Sequence, residues 1–303
     1  MNLGFLCLGI IFLSILFWLA VSPLKLEKMI EQRLLSMDAN AFGGISCSEF
    51  QWFCLSLKSR GLVVEEFRLP CRDGVELNAV FIRNLASRWI INFHMGKNNS
   101  LLSCLDFLKQ YSAVASVLIV EPRGFGATGG KGTARTIVSD GFVAREWLIK
   151  HGIDGNRIIP AGDSLGSGVA SAEARATGAP ALILTAAYSS IIEVLWEQSF
   201  FLRLYPECMF PIPLRLLNNE HNVRVIKKPM LFLHGRNDTF IPIAHAERLL
   251  SAAGERGTLV RLDCGHRNTA GANDLAIASF SEGLKTFMAY LSEPAQRQAT
   301  TTT

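Results

Sequence analysis

Three residues of the types that cooperate in nucleophilic chemistry stand far apart in this 303-residue chain: Ser164, Asp238 and His266. Ser164 is the centre of Gly162-Asp163-Ser164-Leu165-Gly166, which follows the apolar Ile158-Ile159-Pro160-Ala161 and precedes the small residues Ser167, Gly168, Ala170 and Ser171. Glycines two positions either side of a serine let a strand turn sharply into a helix with the hydroxyl held out at the tip, because a Cβ at either flank would meet neighbouring backbone. The Leu165 N–H, first in that helix, would then point at an oxyanion formed beside the serine. A glycine-rich helix start that only packs closely is the rival reading. Asp238 lies in the turn-prone Gly235-Arg236-Asn237-Asp238 behind one apolar run, and His266 in Cys264-Gly265-His266 behind another. A histidine there could take the Ser164 proton as the hydroxyl attacks a carbonyl, and an aspartate could hold the imidazole tautomer and stabilise the imidazolium. Singly, a turn aspartate and a loop histidine are commoner as plain surface residues. Their joint placement behind strands favours chemistry.

Those positions depend on a set of alternating elements. Residues 63–69 and 77–82 are strand-like and bracket Arg72-Asp73-Gly74, a hairpin signal that predicts an antiparallel edge. Further apolar strands are expected at 89–93, 116–120, 181–184, 229–233 and 258–262. Between them run helical stripes: Leu101, Cys104, Leu105 and Leu108; then Ile137, Gly141, Ala144 and Leu148; and last Phe280, Leu284, Phe287, Met288 and Leu291. Strand and helix in alternation predict right-handed βαβ units and a mostly parallel sheet with helices on both faces. Pro160 cannot donate to a ladder, so a bulge or break is expected just before the elbow.

A hydrophobic content of 49% suits one large core, and no repeat is present. The formal charge of +4 is dispersed, with no basic tract of the kind that binds nucleic acid. The seven cysteines include no Cys-x-x-Cys pair and no metal-ligand spacing; most read as buried thiols, which points to a reducing compartment, with a Cys47 to Cys54 bridge left open. No metal or cofactor is expected. Residues 3–21 carry no charge and have a length that suits a bilayer span, with a cleaved signal peptide as the rival. Lys25, Lys28 and Arg33 behind that run favour a single-pass protein whose catalytic domain is cytoplasmic. The expected layout is a transmembrane anchor over 1–22, a juxtamembrane helix and linker over 23–62, a catalytic domain over 63–292 and a disordered tail over 293–303. Nothing in the sequence sets an oligomeric state.

The chain order Ser164, Asp238, His266, with Pro122-Arg123-Gly124-Phe125-Gly126 and His234-Gly235-Arg236-Asn237-Asp238, resembles the α/β-hydrolase superfamily. Within it the chain looks like the serine aminopeptidase and monoglyceride lipase-like branch, which includes membrane-anchored acyl-protein thioesterase-like members. The resemblance covers about 63–291. It implies that the loop after the third strand supplies an oxyanion N–H, and Phe93-His94-Met95-Gly96 matches with one residue displaced, so Met95 or Gly96 could be the donor. Ser167 replaces a common glycine. His94 and His234 read as structural, holding backbone carbonyls, and Glu193 is the reserve acid. The segment 191–228 reads as a cap whose Trp196, Phe200 and Phe201 would line an acyl pocket, or else as scaffold helices. The implied function is a membrane-anchored serine hydrolase that cleaves small-molecule or lipid esters or thioesters through an acyl-enzyme, with a medium or long acyl chain. A noncatalytic hydrolase-like scaffold and a peptidase or amidase are the alternatives.

Overall fold

The computed structural model describes residues 9–13, 26, 29–30, 47–97, 100–267 and 269–293. Eight strands form one sheet: β1 (Val63–Pro70), β2 (Glu76–Arg83), β3 (Ile90–His94), β4 (Ser116–Val120), β5 (Ile158–Asp163), β6 (Leu182–Thr185), β7 (Met230–Gly235) and β8 (Gly257–Leu262). Their order across the sheet is β1-β2-β4-β3-β5-β6-β7-β8. The β1–β2 and β2–β4 pairs are antiparallel and all others parallel, so the hairpin at Asp73-Gly74 does build an antiparallel edge.

Helices cover both faces, and the strand alternation decides which residues they meet. Phe107 and Tyr111 of α2 (Leu105–Ser112) and Phe280 and Leu284 of the last helix pack with Ile91, Phe93, Ile183 and Leu231. On the other face, Ala144 and Leu148 of α3 (Ala134–Lys150) lie on Ile90, Leu118 and Ile158. Ala170 and Ala174 of α4 (Leu165–Thr177), with Val223 and Leu249, lie on Leu182, Leu184, Met230 and Phe232. Before β1 stands α1 (Cys47–Ser59), whose Cys54 is a free thiol, so the Cys47 to Cys54 bridge does not form.

The segment behind β6 winds through α5 (Ile191–Gln198), short 3-10 turns at Phe200–Leu204 and Glu207–Met209, α6 (Ile212–Leu216) and α7 (Asn219–Val225). Its Leu195, Leu202, Tyr205, Phe210, Leu214 and Leu217 are buried in the main core. The chain then runs through β7, α8 (Ala244–Ala253) and β8 to α9 (Asp274–Ser292).

Two expectations are corrected. The strand β5 runs unbroken through Pro160, which pairs with Asn92 of β3. The Ser164 N–H bonds to Thr185 O of β6, so by alternation the Pro160 nitrogen faces the same side, where β6 begins only at Leu182 and the first β5–β6 partner is Ala161. The β5–β6 pairing therefore starts just beyond the proline, and the missing N–H leaves β5 itself unbroken. The expected single-pass membrane localisation is the second correction: no helix among the described residues is long and apolar enough to cross a membrane. Residues 9–13, the described part of the apolar run, are helical. The rest of the expected anchor, most of the 23–46 stretch and the tail from 294 lie outside the described residues.

Candidate active site

Ser164 sits between the end of β5 and the start of α4 with φ 49° and ψ −115°, a backbone conformation that costs a non-glycine residue free energy. The neighbours hold it there. A Cβ on Gly162 would overlap the carbonyl of Gly166, and one on Gly166 would overlap the carbonyl of His94. The turn is pinned by Ser164 N–H to Thr185 O at 3.0 Å and by Ser167 N–H to Ser164 O at 3.0 Å.

The loops behind β7 and β8 bring the other two residues in. Arg236 N–H donates to Leu262 O at 2.8 Å and Asn237 N–H to Cys264 O at 3.0 Å, which zips the two loops together. The Asp238 Oδ1 accepts from the N–H groups of Phe240 at 2.9 Å and Ile241 at 2.8 Å, leaving Oδ2 for His266 Nδ1 at 2.7 Å. On the far side of the ring, His266 Nε2 stands 3.1 Å from Ser164 Oγ. A carboxylate only accepts, so Nδ1 carries the proton and the Nε2 lone pair faces the hydroxyl. The Asp238 carboxylate is fully buried while the His266 ring keeps 19% exposure and tilts against Phe240. The pair can thus act on a group entering from solvent.

Leu165 opens α4, where N–H groups lack helical partners and the macrodipole favours negative charge. Met95 and Gly96 follow the end of β3 at His94, whose backbone, with that of Met95, lies against Gly166. The structure therefore brings the 94–96 loop to the elbow.

Other expected residues fall elsewhere. Glu193 accepts both ends of the Arg248 guanidinium, at 2.9 and 3.1 Å, and the Ser189 hydroxyl at 2.6 Å, so its oxygens are engaged away from His266. Trp196 is partly buried, donates to Tyr205 O at 3.2 Å and meets Phe210 edge to face. Phe200 and Phe201 are 73% and 67% exposed. A cavity of about 520 Å³ opens between β1, β2, α1 and the loops behind β3 and β4, lined by Phe50, Phe67, Asn78, Leu101, Leu102 and Glu121, and its lining includes none of Ser164, Asp238 and His266. His234 meets the carbonyl of Ile241 through Nε2 at 2.8 Å, and burial lowers its pKa. His94 instead faces a carboxylate: Glu173 Oε2 lies 2.8 Å from its Nε2 and also accepts from Asn92 Nδ2 at 2.8 Å.

Two participants were missed in the sequence. Glu173 is fully buried on α4, and only its place nine residues behind Ser164, on an otherwise small-residue helix, hints at it. Asp163 precedes the nucleophile position and one of its oxygens is buried without a partner. Burial pushes its carboxyl up to about 7, opposed by His266 and reinforced by Asp238.

No family model matches the sequence. An uncharacterized protein of Mycobacterium tuberculosis is 32% identical over 146 residues, 46% of this chain and 48% of that protein, so the chain spans about half the length of this relative. The alpha/beta hydrolase domain-containing protein WAV2 of Arabidopsis thaliana is 28% identical over 211 residues, 64% of this chain and 68% of that one. Among solved structures, an esterase of Pyrococcus furiosus superposes with a TM-score of 0.60 at 17% identity, covering 77% of this chain and 92% of that one. The sheet order and the solved-structure likeness show the α/β-hydrolase fold, and the similarity to WAV2 supports kinship with that superfamily.

Proposed function

We propose that this protein is a serine hydrolase that cleaves carboxylic esters or thioesters of small molecules. The observation that carries the reading is the continuous chain from Asp238 Oδ2 through His266 to Ser164 Oγ, at 2.7 and 3.1 Å. As Ser164 Oγ attacks the substrate carbonyl, its proton passes to His266 Nε2, and the imidazolium is stabilised by the Asp238 carboxylate. The carbonyl oxygen becomes an oxyanion bound by Leu165 N–H and by an N–H of the 94–96 loop. Collapse of the tetrahedral intermediate breaks the bond to the leaving group, which takes the proton from His266. Water then attacks the Ser164 ester by the same route, releasing the acid and restoring the enzyme. The likeness to a solved esterase fits this class of substrate.

The test is labelling with a fluorophosphonate beside hydrolysis of aryl esters from acetate to palmitate, for wild type and Ser164→Ala. Labelling and turnover in wild type, both lost in the variant, are expected, since only an activated serine reacts rapidly with the probe. Unchanged turnover in Ser164→Ala moves the nucleophile elsewhere. The position of the kcat/KM maximum along the series reports whether a medium or long acyl chain is preferred.

A further inference from the structure

Ser167 stands three residues behind the nucleophile, where the resemblance to this superfamily leads one to expect glycine, and it is fully buried. Its hydroxyl lies 2.6 Å from the carbonyl oxygen of Ser164. Asn219, the first residue of α7 and also fully buried, places Nδ2 2.8 Å from Ser167 Oγ and 2.8 Å from the carbonyl oxygen of Tyr188. The Tyr188 carbonyl can only accept, so Asn219 must turn its NH₂ toward it. The second N–H of that group then points at Ser167 Oγ, and the Ser167 proton is left for Ser164 O. Hydrogen-bond direction is thereby fixed along the whole line. The opposite carboxamide oxygen of Asn219 is buried without a partner, so this orientation is held at the expense of an unsatisfied acceptor.

The carbonyl of Ser164 and the N–H of Leu165 belong to one peptide unit. We propose that Asn219 and Ser167 form a relay that polarises the Ser164–Leu165 peptide and so strengthens the Leu165 N–H as a donor to the oxyanion. This inference rests on the serine hydrolase reading above. Hydrogen bonds in a chain polarise one another, and a carbonyl that receives Ser167 N–H and O–H together draws electron density from its own amide nitrogen. The effect grows with the charge on the oxyanion, which is full in the tetrahedral state and absent in the bound ester. It therefore enters kcat rather than KM. Ser167 and Asn219 are positioning residues: neither touches the substrate. Because Asn219 belongs to the segment inserted behind β6, the relay also ties that segment to the nucleophile.

The experiment compares wild type, Ser167→Ala, Ser167→Thr and Asn219→Ala on an aryl acetate, with inhibition by a trifluoromethyl ketone that mimics the tetrahedral state, and with Tm. Loss of a direct oxyanion donor lowers kcat by about a hundredfold or more, so a relay one bond removed should be worth about tenfold. Ser167→Ala is expected to lower kcat about tenfold with KM within about twofold, and to weaken the ketone by the same factor as kcat. Ser167→Thr, which keeps the hydroxyl, should recover most of that loss. Asn219→Ala should lower kcat by a smaller factor, and the two losses should not multiply in the double variant. Equal kcat and equal ketone affinity in wild type and Ser167→Ala overturn the relay while leaving the hydrolase reading intact. So does a loss of activity in which KM and Tm move and the ratio of ketone affinity to KM does not. Wild type that neither hydrolyses the ester nor takes a fluorophosphonate at Ser164 overturns both.

Discussion

The carbonyl of His94 lies so close to Gly166 that a Cβ on that glycine would overlap its oxygen and carbon. This contact sets the loop that follows β3 directly against the helix that follows Ser164. Gly166→Ala must push the 94–96 backbone away, and a shift of about 1 Å in a reacting group costs on the order of a hundredfold in rate. The expected outcome is a loss of at least about that size in kcat/KM on an aryl ester, with the far-ultraviolet spectrum unchanged. Gly129→Ala, whose Cβ would meet open space, is the control and should match wild type.

Asp238 and Glu193 can be told apart by charge-neutral substitution. Asp238→Asn keeps an oxygen for the N–H groups of Phe240 and Ile241 but places an amide against His266 Nδ1, which selects the wrong tautomer. A fall in kcat of about 10⁴-fold is expected, as is usual when a triad carboxylate is neutralised. Glu193→Gln only weakens a half-exposed pairing with Arg248, a contact worth about 1 kcal/mol or less, and should leave kcat within about twofold. A large loss in the Glu193 variant with normal Asp238→Asn would move the acid.

All eight strands and the elbow were legible in the sequence because each has a local signature: an apolar run, an Asp-Gly turn, glycines two residues either side of Ser164. Asp238 and His266 were legible because each follows such a run. Pro160 misled, since its effect depends on which neighbouring strand its nitrogen faces, and that follows from the start of β6. The partner of His94 was hidden for the same kind of reason. Glu173 is 79 residues away in sequence, and its place on a small-residue helix does not say which side chain it will meet. The course of 191–225 is likewise a matter of tertiary packing: Phe200 and Phe210 are alike as residues, yet one faces solvent and the other the core.

Glu173 is the anchor of a buried polar group behind the 94–96 loop. It accepts from Asn92 and His94 and has Arg145 Nη1 3.6 Å from its other oxygen, all with little or no exposure. Removing the carboxylate strands those donors, and breaking a buried pairing of this kind costs about 3–5 kcal/mol. Glu173→Ala should lower the urea midpoint accordingly, and Glu173→Gln, which keeps one acceptor oxygen, should lose less. Equal midpoints for wild type and Glu173→Ala would show that water satisfies the group.

Asp163 links stability to pH. Burial raises its carboxyl to about 7 in the native state, whereas in the unfolded chain it ionises near the ordinary value of about 4. Between those values the native state holds a proton that the unfolded state has released, so stability falls as pH rises through this window and levels off above it. The total is on the order of 4 kcal/mol. Asn has the same shape as the protonated acid and cannot ionise. Asp163→Asn should therefore match wild type near pH 4 and gain over it steadily up to about pH 7, with a constant advantage beyond. The measurement is the free energy of urea unfolding for both proteins at intervals from pH 4 to pH 9, taken as a difference so that titrating groups not coupled to Asp163 cancel. A flat difference curve would mean that Asp163 is already ionised in the native protein, stabilised by the neighbouring His266, and that its unpartnered oxygen is hydrated.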